Sequence, residues 1–401
     1  MPPSSSLLRL SLLSALVLVS GCKKQSEEKP AGTAPTATAP SATPEAPKAK
    51  DLKVGLVTDV GGRGDHSFND SALRGLELWA AGKKMESGRY ADASPEELKA
   101  TLHQDLATRG ITPVGATPVV LQSKVAEDYE PNLQLLVDQG VDLSVGVGFM
   151  LESAVETVAK RNPDAKFLLI DSPIVGADGK PYTLPNVRTA VFREEQGSFL
   201  VGALAGLATQ GGKVGFVGGM EVPLIKRFEA GFRAGVAATN PKATVLVNYT
   251  GSFDNVSAGK QVAQDLVSKG ADVIFHAAGS DGLGVIQSVK EARAAKKNVF
   301  VIGVDSDQSP LAPEAVLTSM VKRVDLAVYE AVRDLRDGKL TGGDVVLGLK
   351  EGGVTYAPVR VEFPGREAAL QKVEELRAKV VSGEIQVPSH PSQLNTAPAT
   401  P

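Results

Sequence analysis

The sequence predicts an α/β protein of two similar lobes, each a parallel sheet flanked by helices, with a cleft between them. Three observations predict it. From residue 53 onward, short β-branched runs alternate with helical patterns, which calls for a parallel sheet covered on both faces. After Asn186 the same alternation begins again, as a second domain built like the first would require. Finally, a glycine-rich stretch from Asp59 to Asn69 lies between the apolar run 54–57 and the helix-like run 72–81. A strand, a tight turn and a helix start in that order mark the place where parallel α/β proteins bind ligands.

In the first lobe, strands are expected over 54–58, 113–120, 141–147 and 166–170. Between the last two, Leu151, Ala154, Val155, Val158 and Ala159 recur at helical spacing, so this segment should pack one apolar face on the sheet. Residues 85–110 carry many charges and a Pro95-Glu96-Glu97 helix start, and read as a polar insertion with one short helix.

In the second lobe, strands are expected over 213–217, 244–249, 272–276 and 299–304, and helices over 195–210, 224–239, 256–269 and 283–296. In the third of these helices Val262, Ala263, Leu266 and Val267 form the buried stripe, and Gly270 stands where a C-terminal cap belongs. The remaining pattern, strand 316–320, helix 324–337 and strand 345–349, is too short for a third domain.

The amino terminus is of a different kind. Residues 7–20 form an apolar run with one charge, Arg9, too short to span a bilayer, and are read with the rest of 1–21 as a signal peptide. The run ends in Val19-Ser20-Gly21-Cys22, which resembles the bacterial lipobox and implies cleavage before a lipidated Cys22. Two acyl chains would anchor the protein firmly to a membrane of the bacterial cell envelope, facing the periplasm or the exterior. Cys22 is the single cysteine, which excludes an internal disulfide or a thiolate metal site. Residues 22–50, rich in Ala, Pro, Thr, Lys and Glu, are expected to be a disordered tether, and residues 389–401 a disordered tail.

The glycine-rich stretch reads Asp59-Val60-Gly61-Gly62-Arg63-Gly64-Asp65-His66-Ser67-Phe68-Asn69. It resembles the D-x-G-G-x-x-D-x-S-F-N signature of the basic membrane protein family, substrate-binding lipoproteins of ABC transporters that include purine nucleoside receptors. Further segments continue the resemblance in the family's order: Val214 to Met220, Tyr249 to Phe253, Ala278 to Gly284, Val301 to Gln308 and Thr318 to Arg323. The resemblance implies the two-lobed type I periplasmic binding protein fold, in which the chain crosses a hinge three times. The crossings are expected near Val191, Met320 and Asp344. They divide the chain into a first lobe of 51–190 plus 321–343 and a second of 191–320 plus 344–388.

Phe68 and Phe253 follow strands of different lobes in polar, glycine-rich surroundings, so the two rings could stack a planar base across the closed cleft. A carboxylate at Asp305 can accept hydrogen bonds from vicinal sugar hydroxyls. In the resembling receptors the matching aspartate binds ribose, Asp59 also contacts the ligand and Lys322 matches a binding lysine. Asn69 offers hydrogen bonds, and Gly279 permits a close backbone approach. Phe149 and Phe228 are less clear, the second reading more as core. The chain departs from these receptors at Ser153, where they carry an acid that reads the base edge; here the acid, Glu152, comes one place earlier.

Other functions lack their signatures. A net charge of −3 offers no basic excess for nucleic acid. The histidines, His66, His103, His276 and His390, are scattered without metal-ligand spacing, and no G-x-S-x-G elbow appears. The expectation is therefore a monomeric, lipid-anchored receptor without metal or cofactor, not an enzyme, that delivers a nucleoside, most simply a purine nucleoside, to an ABC permease. Alternatives are a receptor for another planar or sugar-like solute, for example a flavin, and a surface sensory lipoprotein without a transport role.

Overall fold

The computed structural model describes residues 52–395, apart from 103–105 and 107–108. The signal peptide, Cys22 and the tether lie outside the described residues. Two six-stranded sheets organise the rest. The first has the spatial order Gly343–Leu347, Val187–Phe192, Phe167–Ile170, Leu143–Gly146, Leu52–Thr58 and Ala116–Gln122, all parallel. The second runs Thr244–Tyr249, Lys213–Gly218, Val273–Ala277, Phe300–Asp305, Val316–Lys322 and Val354–Tyr356, with only the last strand antiparallel. Strands buried on both faces carry the continuous apolar runs visible in the sequence, such as the fully buried Phe167–Ile170.

Glycines set how closely the helices approach one another. A Cβ at Gly202 would lie 2.2 Å from the Phe232 carbonyl oxygen, and one at Gly235 2.0 Å from that of Phe199. Helices Glu194–Ala208 and Pro223–Thr239 therefore cross with their backbones nearly touching. One apolar cluster runs from Val54 and Leu143 in the first sheet through Phe192, Met320 and Val324 to Phe216 and Phe275 in the second. The lobes thus share a packed core at the hinge rather than hanging on bare linkers.

The chain leaves the first sheet after Phe192 and returns after Lys322, so that helix Val324–Arg336 packs on the helical turn Arg74–Ala80 of the first lobe. The third crossing differs from expectation. Gly343–Leu347 pairs along Val187–Phe192 and belongs to the first sheet, so the crossing falls after Leu347 rather than near Asp344. The strand also begins two residues earlier than its apolar run, because the parallel partner starting at Arg188 continues the ladder over Gly343 and Asp344.

In the polar insertion, Lys83–Glu86 and Arg89–Asp92 form a hairpin absent from the sequence reading. Its strands lack apolar alternation, and the signal lies in Ser87 and Gly88, whose positive φ values of 49° and 79° make a two-residue turn. The expected short helix is Pro95–Ala100, closed by a capping box between Ser94 and Glu97. Residues 391–395, expected to belong to the disordered tail, form a 3-10 turn against helix Pro223–Thr239.

Candidate functional site

The carboxyl ends of strands Leu52–Thr58, Phe167–Ile170, Val273–Ala277, Phe300–Asp305 and Val316–Lys322 converge on one narrow cavity between the sheets. Of the residues singled out from the sequence, Asp59, Phe68, Asn69, Phe253, Gly279, Asp305 and Lys322 share its wall. Phe149 and Phe228, ambiguous in the sequence, line it as well. Ser153 does not. It is exposed and faces a separate surface depression beside Met150 and Arg161. The neighbouring Glu152 is no substitute, because its carboxylate accepts from the Val175 backbone N–H at 2.8 Å.

The glycine-rich loop is held by its own side chains. Asp65 accepts from the backbone N–H groups of Ser67, Asn69 and Asp70 at 2.9, 2.7 and 3.0 Å, satisfying the first turn of helix Phe68–Leu73. Asn69 donates through Nδ2 to both Asp59 Oδ1, at 2.7 Å, and Asp65 Oδ2, at 3.1 Å. Asp59 Oδ1 also accepts from Gly61 N at 2.8 Å. These donors occupy one oxygen of Asp59, while Oδ2 is turned toward Gly148 and the edge of Phe68. Burial raises the Asp59 pKa to about 6 despite the Asn69 and Gly61 hydrogen bonds, which work in the opposite direction.

Across the cavity, Phe253 packs over Gly219 and Gly279, where a Cβ would come within 2.3 Å and 3.2 Å of it. Its ring meets Phe149 of the first lobe edge-on, with centroids 6.2 Å apart and planes at 75°. Rings from both lobes therefore border the same space.

Lys322 occupies the floor. Its side chain is only 2% exposed, and Nζ lies 2.7 Å from Asp171 Oδ1 and 2.9 Å from Glu194 Oε1. The rings of Phe192, Phe68 and Phe228 surround the ammonium at 5.0, 5.4 and 5.5 Å. Burial alone would lower its pKa, but Asp171, Glu194 and Asp305 outweigh that and hold it above the usual lysine range. The same burial pushes Asp305 up to about 7 and Asp171 up to about 6, with Lys322 opposing both shifts.

Asp171 and Asp305 share a further property. Both end strands in the left-handed region, at φ 77° and 64°, a conformation costly for a residue with a Cβ. Asp171 was not marked in the sequence, although it follows strand 166–170 as Asp59 and Asp305 follow theirs. The strand-end rule finds it. Among the described residues, no cluster of His, Cys, Asp and Glu has an arrangement that could hold a metal ion.

A cavity between two α/β lobes, bounded by aromatic rings and buried carboxylates over a continuous hinge core, is the arrangement of a two-lobed solute-binding protein. The chain belongs to the Bmp family, ABC transporter substrate-binding protein PnrA-like, whose model matches residues 52–391. It is 36% identical over 392 residues to the CD4+ T-cell-stimulating antigen of Listeria innocua, covering 95% of this chain and 97% of that one. It is 33% identical over 356 residues to the ABC transporter nucleoside-binding protein BmpA of Lactococcus lactis, covering 84% and 90%. An ABC transporter solute-binding protein from Aeropyrum pernix K1 superimposes with a TM-score of 0.69 at 29% identity, over 86% of this chain and 96% of that one. Among the described residues, no helix is long and apolar enough to cross a membrane.

Proposed function

We propose that the protein is a lipid-anchored receptor that closes on a purine nucleoside and hands it to an ABC permease. The observation that carries this reading is the cavity itself, in which Phe68 and Phe253 approach from different lobes while Asp305 and Lys322 stand on the floor between them. On this reading a planar base stacks between the rings as the lobes close, and the Asp305 oxygen not engaged by Ser67 accepts from ribose hydroxyls. Asp59 Oδ2 accepts from a ligand donor near Phe68.

No nucleophile and base pair is needed for this task, and the ligand leaves unchanged. The name of the Lactococcus relative supports the nucleoside class. Cys22 supplies the membrane anchor, and residues 22–50 the tether. Native mass spectrometry of the protein purified without denaturation tests the ligand. A bound mass equal to a purine nucleoside supports the reading, and a flavin or a free sugar in its place removes it.

A further inference from the structure

Gln308 lies just past strand Phe300–Asp305, is buried, and does not border the cavity. All of its polar atoms are nevertheless used. Its Oε1 accepts from Val304 N at 3.0 Å and faces His276 Nε2 at 3.0 Å, and its backbone N–H donates to Ser319 Oγ at 3.0 Å. With the oxygen fixed by two donors of the second lobe, the amide nitrogen is aimed the other way, and Nε2 donates to the His66 carbonyl of the first lobe at 3.2 Å. Gly303 makes room for this arrangement, since a Cβ there would lie 2.5 Å from both Gln308 Oε1 and Ser319 Oγ.

Two more hydrogen bonds follow the same seam. Ser67 Oγ donates to Asp305 Oδ2 at 2.5 Å, and Ser306 Oγ donates to the Ser67 carbonyl at 3.2 Å. The accepting loop is itself under constraint, because His66 is held at φ 50°. Residues 66–67 of one lobe and 305–308 of the other are thus joined directly, beside Phe68 and Asp305.

We infer that Gln308 is a positioning residue that clasps the two lobes, holding the His66–Ser67 backbone against the Asp305 loop so that Phe68 and Asp305 face the cavity together. It acts on ligand affinity by favouring the closed arrangement, not by touching the ligand. This rests on the cleft being a binding site, but not on the ligand being a nucleoside. The titratable group facing the Gln308 side chain is His276, which burial keeps neutral; of the carboxylates nearby in the two loops, Asp305 is bonded by Ser67, Asp307 is paired with Arg360 at 2.8 Å, and Asp65 is occupied by the N–H groups of residues 67, 69 and 70.

The test uses the full chain carrying Cys22→Ala, with spin labels at the exposed Val125→Cys and Val256→Cys, one in each lobe. Gln308→Glu keeps an oxygen for Val304 N and His276 but places a second oxygen against the His66 carbonyl. At pH 8 the ligand-free variant should show longer label distances than the parent and bind adenosine at least ~10-fold more weakly. Burial and the opposed His66 carbonyl favour the protonated carboxyl, so lowering the pH to 5 should restore a donor in place of the amide and return both readouts toward the parent measured at that pH. Ser306→Ala, which leaves His276 and Val304 untouched, should lengthen the distances to a smaller degree. Parent-like distances for both variants at pH 8 would overturn the clasp. A loss that pH 5 does not reverse would overturn it too, since mere destabilisation would persist. If the parent binds no nucleoside, the ligand reading fails, while the distance measurements still decide the clasp.

Discussion

Lys322 Nζ lies 2.7 Å from Asp171 Oδ1, an ion pair between the end of the last parallel strand of the second sheet and the end of a strand in the first. Both side chains are almost completely buried, and Glu194, at the start of the helix that follows the first crossing, completes the group at 2.9 Å from the ammonium. The charge that faces the cavity is therefore also a tie across the hinge.

Removing that ammonium leaves buried carboxylates without their counter-charge. Lys322→Ala should cost about 3 to 5 kcal/mol of stability, the range for truncating one partner of a buried pair. Urea unfolding at pH 8 measures it. The deficit should shrink at pH 5, where Asp171 and Asp305 can take up protons; an equal deficit at both pH values would mean that lost packing, not charge, sets the cost.

The raised carboxylates also fix a sign for the parent protein. Asp305 at about 7, and Asp59 and Asp171 at about 6, retain protons in the folded state that the unfolded chain has already lost. Their contribution to stability is fully present below the ordinary aspartate pKa and is lost as pH rises through about 6 to 7. Asp305→Asn should flatten this decline, by at most about 1.4 kcal/mol per pH unit. Unfolding midpoints from pH 4 to pH 8 would show it, and an unchanged slope would remove Asp305 as a contributor.

Much of this site is legible in the sequence because strand ends in a parallel sheet are marked twice, by a β-branched run and by the polar or glycine residue that stops it. Asp59, Gly279 and Asp305 are found that way, and Asp171 obeys the same rule inside the unremarkable run Ile170-Asp171-Ser172. Ser153 shows where sequence matching stops. It lies in the first turn of helix Glu152–Arg161, where a step of one residue turns a side chain by about 100°, so matching a family position does not fix the face it occupies. The edge position of Gly343–Leu347 is illegible for another reason. Nothing in five residues says which of two similar sheets will offer the partner strand.

Placement of Ser153 outside the cavity has a direct consequence. Ser153→Asp should leave the ranking of adenosine, guanosine and inosine unchanged, with affinities within about twofold of the parent, as for an exposed surface substitution. Competition binding with the three nucleosides is sufficient. A reordered ranking would show that the residue reaches the base after all.

The proposed anchor is tested at Cys22, the single cysteine of the sequence. If the protein is lipid-anchored as proposed, Cys22→Ala should move it from the membrane to the soluble fraction without altering ligand affinity, because Cys22 precedes in sequence every residue that lines the cavity. Fractionation of expressing cells measures this, and retention in the membrane fraction would contradict the lipoprotein reading.

In the proposed complex a nucleoside base lies between Phe68 and Phe253 with its ribose on Asp305. Calorimetric titration of ligand-stripped protein with adenosine, 2'-deoxyadenosine and adenine tests it most directly. Adenosine should bind one to one, with a loss of about 1 to 3 kcal/mol in each of Phe68→Ala and Phe253→Ala for all three ligands. Asp305→Ala should cost about 1.5 to 3 kcal/mol for adenosine and far less for adenine. Adenosine binding that survives both phenylalanine substitutions at parental strength, or an Asp305→Ala loss equal for adenosine and adenine, would contradict it.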